Sequence, residues 1–168
     1  MISKLLGAIL ILSAFVLEGQ RRSRCINRRI KTLNGLEQGL LSLEREISYL
    51  STPLATALNR ASANAEAAGG IFSEAGHLMS AQRLPAEQAW RQAIKANVYL
   101  KSAELSVLDS FAADLGLSDK NIQLKKLELT RLSVSDIHKA AASTATEQIK
   151  LLKGLAWAAA ITLIILLF

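Results

Sequence analysis

Hydrophobic positions along the chain fall into two regimes. From Leu5 to Leu17 and from Gly154 to Phe168 they are nearly continuous, whereas between these runs they recur at helical spacing. The clearest periodic stretch sets Leu33, Leu36, Leu40, Leu43, Ile47 and Leu50 at steps of 3, 4, 3, 4 and 3 residues. Apolar residues at these intervals form one stripe along a helix. The stripe holds only about two and a half heptads, too few for a coiled coil. It predicts one helix of an intramolecular bundle.

Punctuation divides the rest of the chain. Ser51-Thr52-Pro53 ends the first helix, and Pro at a first helical position behind a capping hydroxyl opens the second. That helix is expected from Pro53 to Ala68, with Leu54, Ala57, Leu58, Ala61 and Ala65 inward and Gly69-Gly70 as its stop. A third, from Ile71 to Ala81, offers Ile71, Phe72, Ala75, Leu78 and Met79. Leu84-Pro85 opens a fourth whose inward residues are Ala89, Trp90, Ala93, Ile94 and Val98. The fifth takes Ser102 as N-cap and Glu104 in its first turn. It buries Leu105, Leu108, Phe111 and Leu115 and ends at Gly116. Ser118-Asp119 caps a sixth helix, packed through Leu124, Leu127, Val134, Ala141 and Leu152, with nothing to break it before Gly154. The fold class is all-α: a six-helix cytoplasmic bundle flanked by an N-terminal and a C-terminal transmembrane helix.

Composition agrees with that class. Of 168 residues, 30 are Leu and 26 are Ala, against 4 Val, 9 Gly and 2 Pro, which favours helices and starves strands and turns. The 51% apolar content is concentrated, since the two end runs hold 24 of the 85 apolar residues. A spanning helix needs roughly 17–25 mostly apolar residues, so residues 1–18 and 151–168 are each short but sufficient. This divides the chain into an anchor over 1–18, a bundle over 19–150 and a second membrane helix over 151–168.

Charge orients the two ends. Residues 19–31 carry Arg21, Arg22, Arg24, Arg28, Arg29 and Lys31 with no acid, and Lys150 and Lys153 precede the second apolar run. Basic groups beside membrane segments stay in the cytoplasm and face anionic headgroups. Both ends then give one topology, out–in–out, with the body cytoplasmic. No small-x-small cleavage site follows Leu17, so the first run reads as an uncleaved anchor rather than a signal peptide. The net charge of +6 therefore belongs to membrane flanks and not to a nucleic-acid partner. Cys25 is the single cysteine, which excludes an internal disulfide and a thiolate metal cluster.

Catalytic chemistry is missing from the sequence patterns. There is no phosphate-binding loop and no dinucleotide fingerprint, and His77 and His138 have no ligand partner at i+3 or i+4. Asp109 and Asp114 share no helix face, and Gly35-x-x-x-Gly39 lies outside the apolar runs, where close helix packing explains it. Neither a cofactor nor a metal is expected. Two classes remain: an assembly platform whose bundle docks partners, and a two-helix membrane sensor or transporter accessory subunit. A transporter needs ionisable or broken membrane helices and a sensor needs an outside domain. Neither feature is present, which favours the platform.

The chain also resembles the stage III sporulation protein AB family. The residues that carry the resemblance begin with Lys4 to Ile11, the basic stretch, Leu43-Glu44-Arg45-Glu46-Ile47-Ser48-Tyr49 and Thr52-Pro53-Leu54. Ala89-Trp90, Phe111, Leu115-Gly116, Asp119 and Gln123 follow in order, then Lys150 to Gly154 and the apolar Leu163–Leu167. Ala112 departs from the glycine common after that Phe. The resemblance implies a component of the apparatus linking mother cell and forespore, in the mother-cell membrane around the forespore. It implies a cytoplasmic domain similar to the inner-membrane platform of type II secretion and type IV pilus machines. Its implied partners are a cytoplasmic secretion-type ATPase and other membrane proteins of the channel. No catalytic residue is implied.

Overall fold

A computed structural model describes the backbone of residues 2–50, 52–116 and 119–167. Side chains are described over 17–50, 52–116 and 119–151, and at Ser13, Gly154, Leu155, Ala158 and Thr162. Among the described residues there are six α-helices and no strand. They are α1 (Ile2–Tyr49), α2 (Leu54–Ser62), α3 (Gly69–Ala81), α4 (Ala86–Lys95), α5 (Ser102–Asp114) and α6 (Lys120–Leu167), with a 3-10 turn at Glu66–Ala68. Also among the described residues, no helix is long and apolar enough to cross a membrane. The two apolar runs and Leu152 lie largely outside the described side chains.

The chain divides into two compact units, Arg28–Ala140 and the pair of segments Met1–Asn27 with Ala141–Phe168. In the first unit α2 packs on α3, α3 on α4 and α4 on α5. The predicted stripe of α1 is its spine: Leu33, Leu36, Leu40 and Leu43 have no exposed surface and Ile47 is buried. Trp90 of α4 lies at the centre, edge-on to Phe72 at 5.3 Å and to Phe111 at 5.4 Å. Its indole N–H donates to the Leu108 carbonyl at 3.0 Å, which satisfies the one polar atom this large side chain buries. From α6, Leu127, Val134, Gln123 and Ser135 close the core.

The Gly35-x-x-x-Gly39 pair explains how closely α1 approaches its neighbours. A Cβ on Gly35 would collide with the Ala65 carbonyl and stand 2.9 Å from the Ala68 nitrogen. One on Gly39 would stand 2.8 Å from the Ala65 Cβ and run into the Phe72 ring. The motif is a packing groove on α1 for the 3-10 turn and for α3.

Several boundaries differ from the sequence expectation. Helix α2 stops at Ser62, not Ala68, and Gly69-Gly70 starts α3 rather than ending α2. The reason is proximity: a Cβ on Gly69 would stand 2.8 Å from the Ser62 carbonyl oxygen, so glycine is there for a close approach. Pro53 is the N-cap of α2 and Lys101 the N-cap of α5, each one residue from the expected placement. Val98 is not inward; α4 ends at Lys95 and leaves it 83% exposed. Leu50 is also exposed, because α1 ends at Tyr49 and the stripe loses its helix there. At the far side of α5, Gly116 adopts φ +86°, the left-handed backbone that ends the segment as expected.

Candidate functional site

Two polar constructions hold the faces of the bundle. The first joins α1 to α5. Glu104, in the first turn of α5, is 3% exposed, and Arg29 Nε donates to its Oε1 at 2.8 Å, with the Arg29 Nη2 on the same oxygen. The other oxygen, Oε2, accepts the Lys101 backbone N–H at 2.6 Å. A carboxylate can be buried only when both oxygens are satisfied in this way. The preceding residue, Arg28, donates to the Tyr99 hydroxyl and lies 5.4 Å from the ring centroid.

The second construction closes the α1–α2 corner. Glu46 Oε2 accepts the Thr52 hydroxyl at 2.9 Å and an Arg60 Nη1 hydrogen at 3.1 Å, while the Thr52 N–H reaches the Glu46 carbonyl at 3.4 Å. Thr52 thus serves the end of α1 instead of capping α2. A charged acceptor six residues back holds its hydroxyl more strongly than a backbone amide would. The corner leaves Tyr49 84% and Leu50 60% exposed at its apex. The start of α6 lies against the same corner. Lys120 Nζ donates to the Ser48 carbonyl at 2.9 Å, and the Asp119 carboxylate caps α6 through the N–H groups of Asn121 (2.8 Å) and Ile122 (3.3 Å). Ile122 is 50% exposed. One end of the bundle therefore presents an aromatic and two aliphatic side chains on a hydrogen-bonded frame.

The residues singled out in the sequence divide accordingly. Trp90, Phe111, Leu115, Gln123 and Ile47 are buried framework. Glu46, Thr52 and Asp119 hold the corner and the cap; Pro53 and half-buried Leu54 lead into α2, and Gly116 approaches Ala86 and Leu54. Tyr49 is the large apolar side chain of that set that stands in solvent, 84% exposed. Among the basic residues, Arg28 and Arg29 are tied into the body. Arg22 pairs with Glu18 at 3.0 Å and Arg24 reaches Gln20 at 3.5 Å. Arg21, Lys31 and Lys150 are exposed, and the Lys153 side chain lies outside the described residues.

Glu104 is the functional residue that sequence reasoning missed. The sequence marks it only as an acid in the first turn of α5; its pairing with Arg29 arises from the fold. Among the described residues, no group of three or more His, Cys, Asp or Glu is placed to hold a metal ion. His77 is exposed, and His138 faces Glu37 at 3.3 Å across α1 and α6. Asp109 pairs with Arg91 at 3.2 Å and Asp114 with Lys126 at 3.5 Å. These acids join helices to one another.

Comparison with known proteins is consistent over the whole chain. The model of the family described as stage III sporulation protein AB matches residues 4–168. The Bacillus subtilis (strain 168) protein of that description is 34% identical over 170 residues, covering 98% of both chains. A solved structure of stage III sporulation protein AB superposes with a TM-score of 0.64 at 28% identity, covering 71% of this chain and 97% of that one. Fold and surface together define an all-helical bundle with a framed, partly apolar end. The chain belongs to the stage III sporulation protein AB family.

Proposed function

We propose that this protein is a non-enzymatic platform component of the sporulation apparatus joining mother cell and forespore. In this reading residues 1–18 and 151–168 cross the mother-cell membrane around the forespore, and residues 19–150 form the cytoplasmic body. The body docks a cytoplasmic secretion-type ATPase and, through its membrane segments, other membrane proteins of the channel. Family membership supports the setting, and the two apolar runs with their basic flanks support the topology.

The observation that carries the docking role is the exposure of Tyr49 and Leu50 at the α1–α2 corner. Tyrosine is among the residue types enriched at protein interfaces, because it contributes area at low entropic cost. The test is co-purification of the ATPase with tagged full-length chain from sporulating cells. Tyr49→Ala combined with Leu50→Ser is expected to lose the ATPase while remaining in the carbonate-resistant membrane fraction. Undiminished capture, or release of the wild-type chain by carbonate, contradicts the reading.

A further inference from the structure

Within the unit formed by the two ends of the chain, α1 and α6 enclose an open groove of about 540 Å³. Its apolar surface comes from Ile26, Leu151 and Leu155, the last two 66% and 68% exposed. Arg21, Arg22 and Cys25 line the groove as well. The volume falls within the roughly 300–1,000 Å³ of ordinary ligand sites. Glu18 also lines the groove, but its carboxylate is engaged by Arg22 at 3.0 Å, and Gln148 adds no charge. The charged lining is therefore net positive beside an apolar surface.

We infer that this groove holds one phospholipid of the anionic class, with an acyl chain along Ile26, Leu151 and Leu155 and its phosphate on Arg21, beside the Arg22–Glu18 pair. Charge complementarity selects the headgroup: the Arg21 guanidinium binds a phosphate through paired N–H donors, which the choline of a zwitterionic lipid opposes. The apolar surface selects a lipid over a soluble anion, since each methylene covered adds to the affinity. In sequence the groove residues adjoin the inner edges of both apolar runs, where headgroups lie if those runs span a bilayer. To that extent the inference rests on the proposed topology. The site would give the protein a lipid it carries as a structural ligand, distinct from bulk attraction to the membrane surface.

Cys25 is the single cysteine of the chain and a built-in reporter of the groove. The experiment measures its maleimide labelling rate in full-length protein reconstituted into nanodiscs of phosphatidylcholine, with or without phosphatidylglycerol. Phosphatidylglycerol is expected to slow labelling roughly fivefold or more, and Arg21→Gln to remove most of that protection, as expected for one Arg near an anionic headgroup. A Cys25→Ser, Asn27→Cys control, whose thiol lies outside the groove, should label at the same rate in both discs. Inorganic phosphate should not protect Cys25 in phosphatidylcholine discs. Equal rates in the two discs, equal protection of the control thiol, protection by phosphate alone or an indifferent Arg21→Gln variant would overturn the inference. Carbonate extraction is read alongside. Retention in the membrane with equal labelling rates overturns the groove alone, whereas release by carbonate overturns the membrane reading and the lipid with it.

Discussion

Arg29 and Glu104, 75 residues apart in sequence, meet with two guanidinium nitrogens on a single carboxylate oxygen. The contact ties α1 to the first turn of α5, and the second carboxylate oxygen simultaneously holds the Lys101 amide. Breaking a buried pair from one side leaves the other charge uncompensated, which costs more than the pair contributes. Glu104→Gln is therefore expected to destabilise α5 by about 2–4 kcal/mol. Replacing both partners, Arg29→Leu with Glu104→Leu, should recover much of that loss. Hydrogen exchange of α5 amides in the full-length protein measures both; a double variant no better than the single would contradict the assignment.

The aromatic centre gives a second expectation. Trp90→Phe keeps the edge-on stacking against Phe72 and Phe111 but removes the donor to Leu108 and leaves unfilled volume. A lost buried hydrogen bond and a small cavity together should cost about 2–3 kcal/mol. Thermal unfolding followed by far-ultraviolet circular dichroism reads this, with a lower Tm and a native helical spectrum before the transition.

Glycines on two helices should respond in opposite directions. At Gly35 an added methyl strikes the backbone of Ala65, which cannot rotate away, so Gly35→Ala should cost about 1–3 kcal/mol. At Gly70 nothing lies within 4 Å of the added atom, and Gly70→Ala should gain up to about 1 kcal/mol by restricting the unfolded chain. The Tm values of the two variants should bracket the wild type. Equal shifts would mean that α1 does not approach the 3-10 turn as described.

The α1–α2 corner should loosen locally. Thr52→Val preserves shape but removes the hydroxyl that Glu46 accepts, a loss of about 1 kcal/mol. Amides at residues 52–57 should exchange several times faster while those of α3 stay unchanged. Uniform acceleration through α3 would show that the corner is part of the core and not a separate latch.

The sequence made some of this architecture legible and hid the rest for physical reasons. Leu33 to Ile47 could be placed because a buried stripe repeats with the helix. Trp90 and Phe111 could be placed because large apolar side chains between capping signals have few other destinations. Leu50 failed because periodicity does not register that Thr52 and Glu46 end the helix one residue earlier. Gly69-Gly70 failed because glycine reads as a stop, whereas here its missing side chain admits the Ser62 carbonyl. Val98 failed because helix α4 ends before it. The Arg29–Glu104 contact had no local signature at all, since its partners are joined only by the fold. The candidate docking end was visible as a motif around Glu46, Tyr49 and Pro53. Only the structure separated the residues that hold that corner from the one left facing solvent.

The exposed apex of this corner is the proposed docking point for the secretion-type ATPase. The most direct measurement is the affinity of the purified ATPase for full-length protein in nanodiscs, by isothermal titration calorimetry. The Tyr49→Ala, Leu50→Ser variant should raise Kd about thirtyfold or more, the loss of one interface hot spot. A Kd unchanged by these substitutions, in a variant whose α5 exchange remains native, would contradict the account.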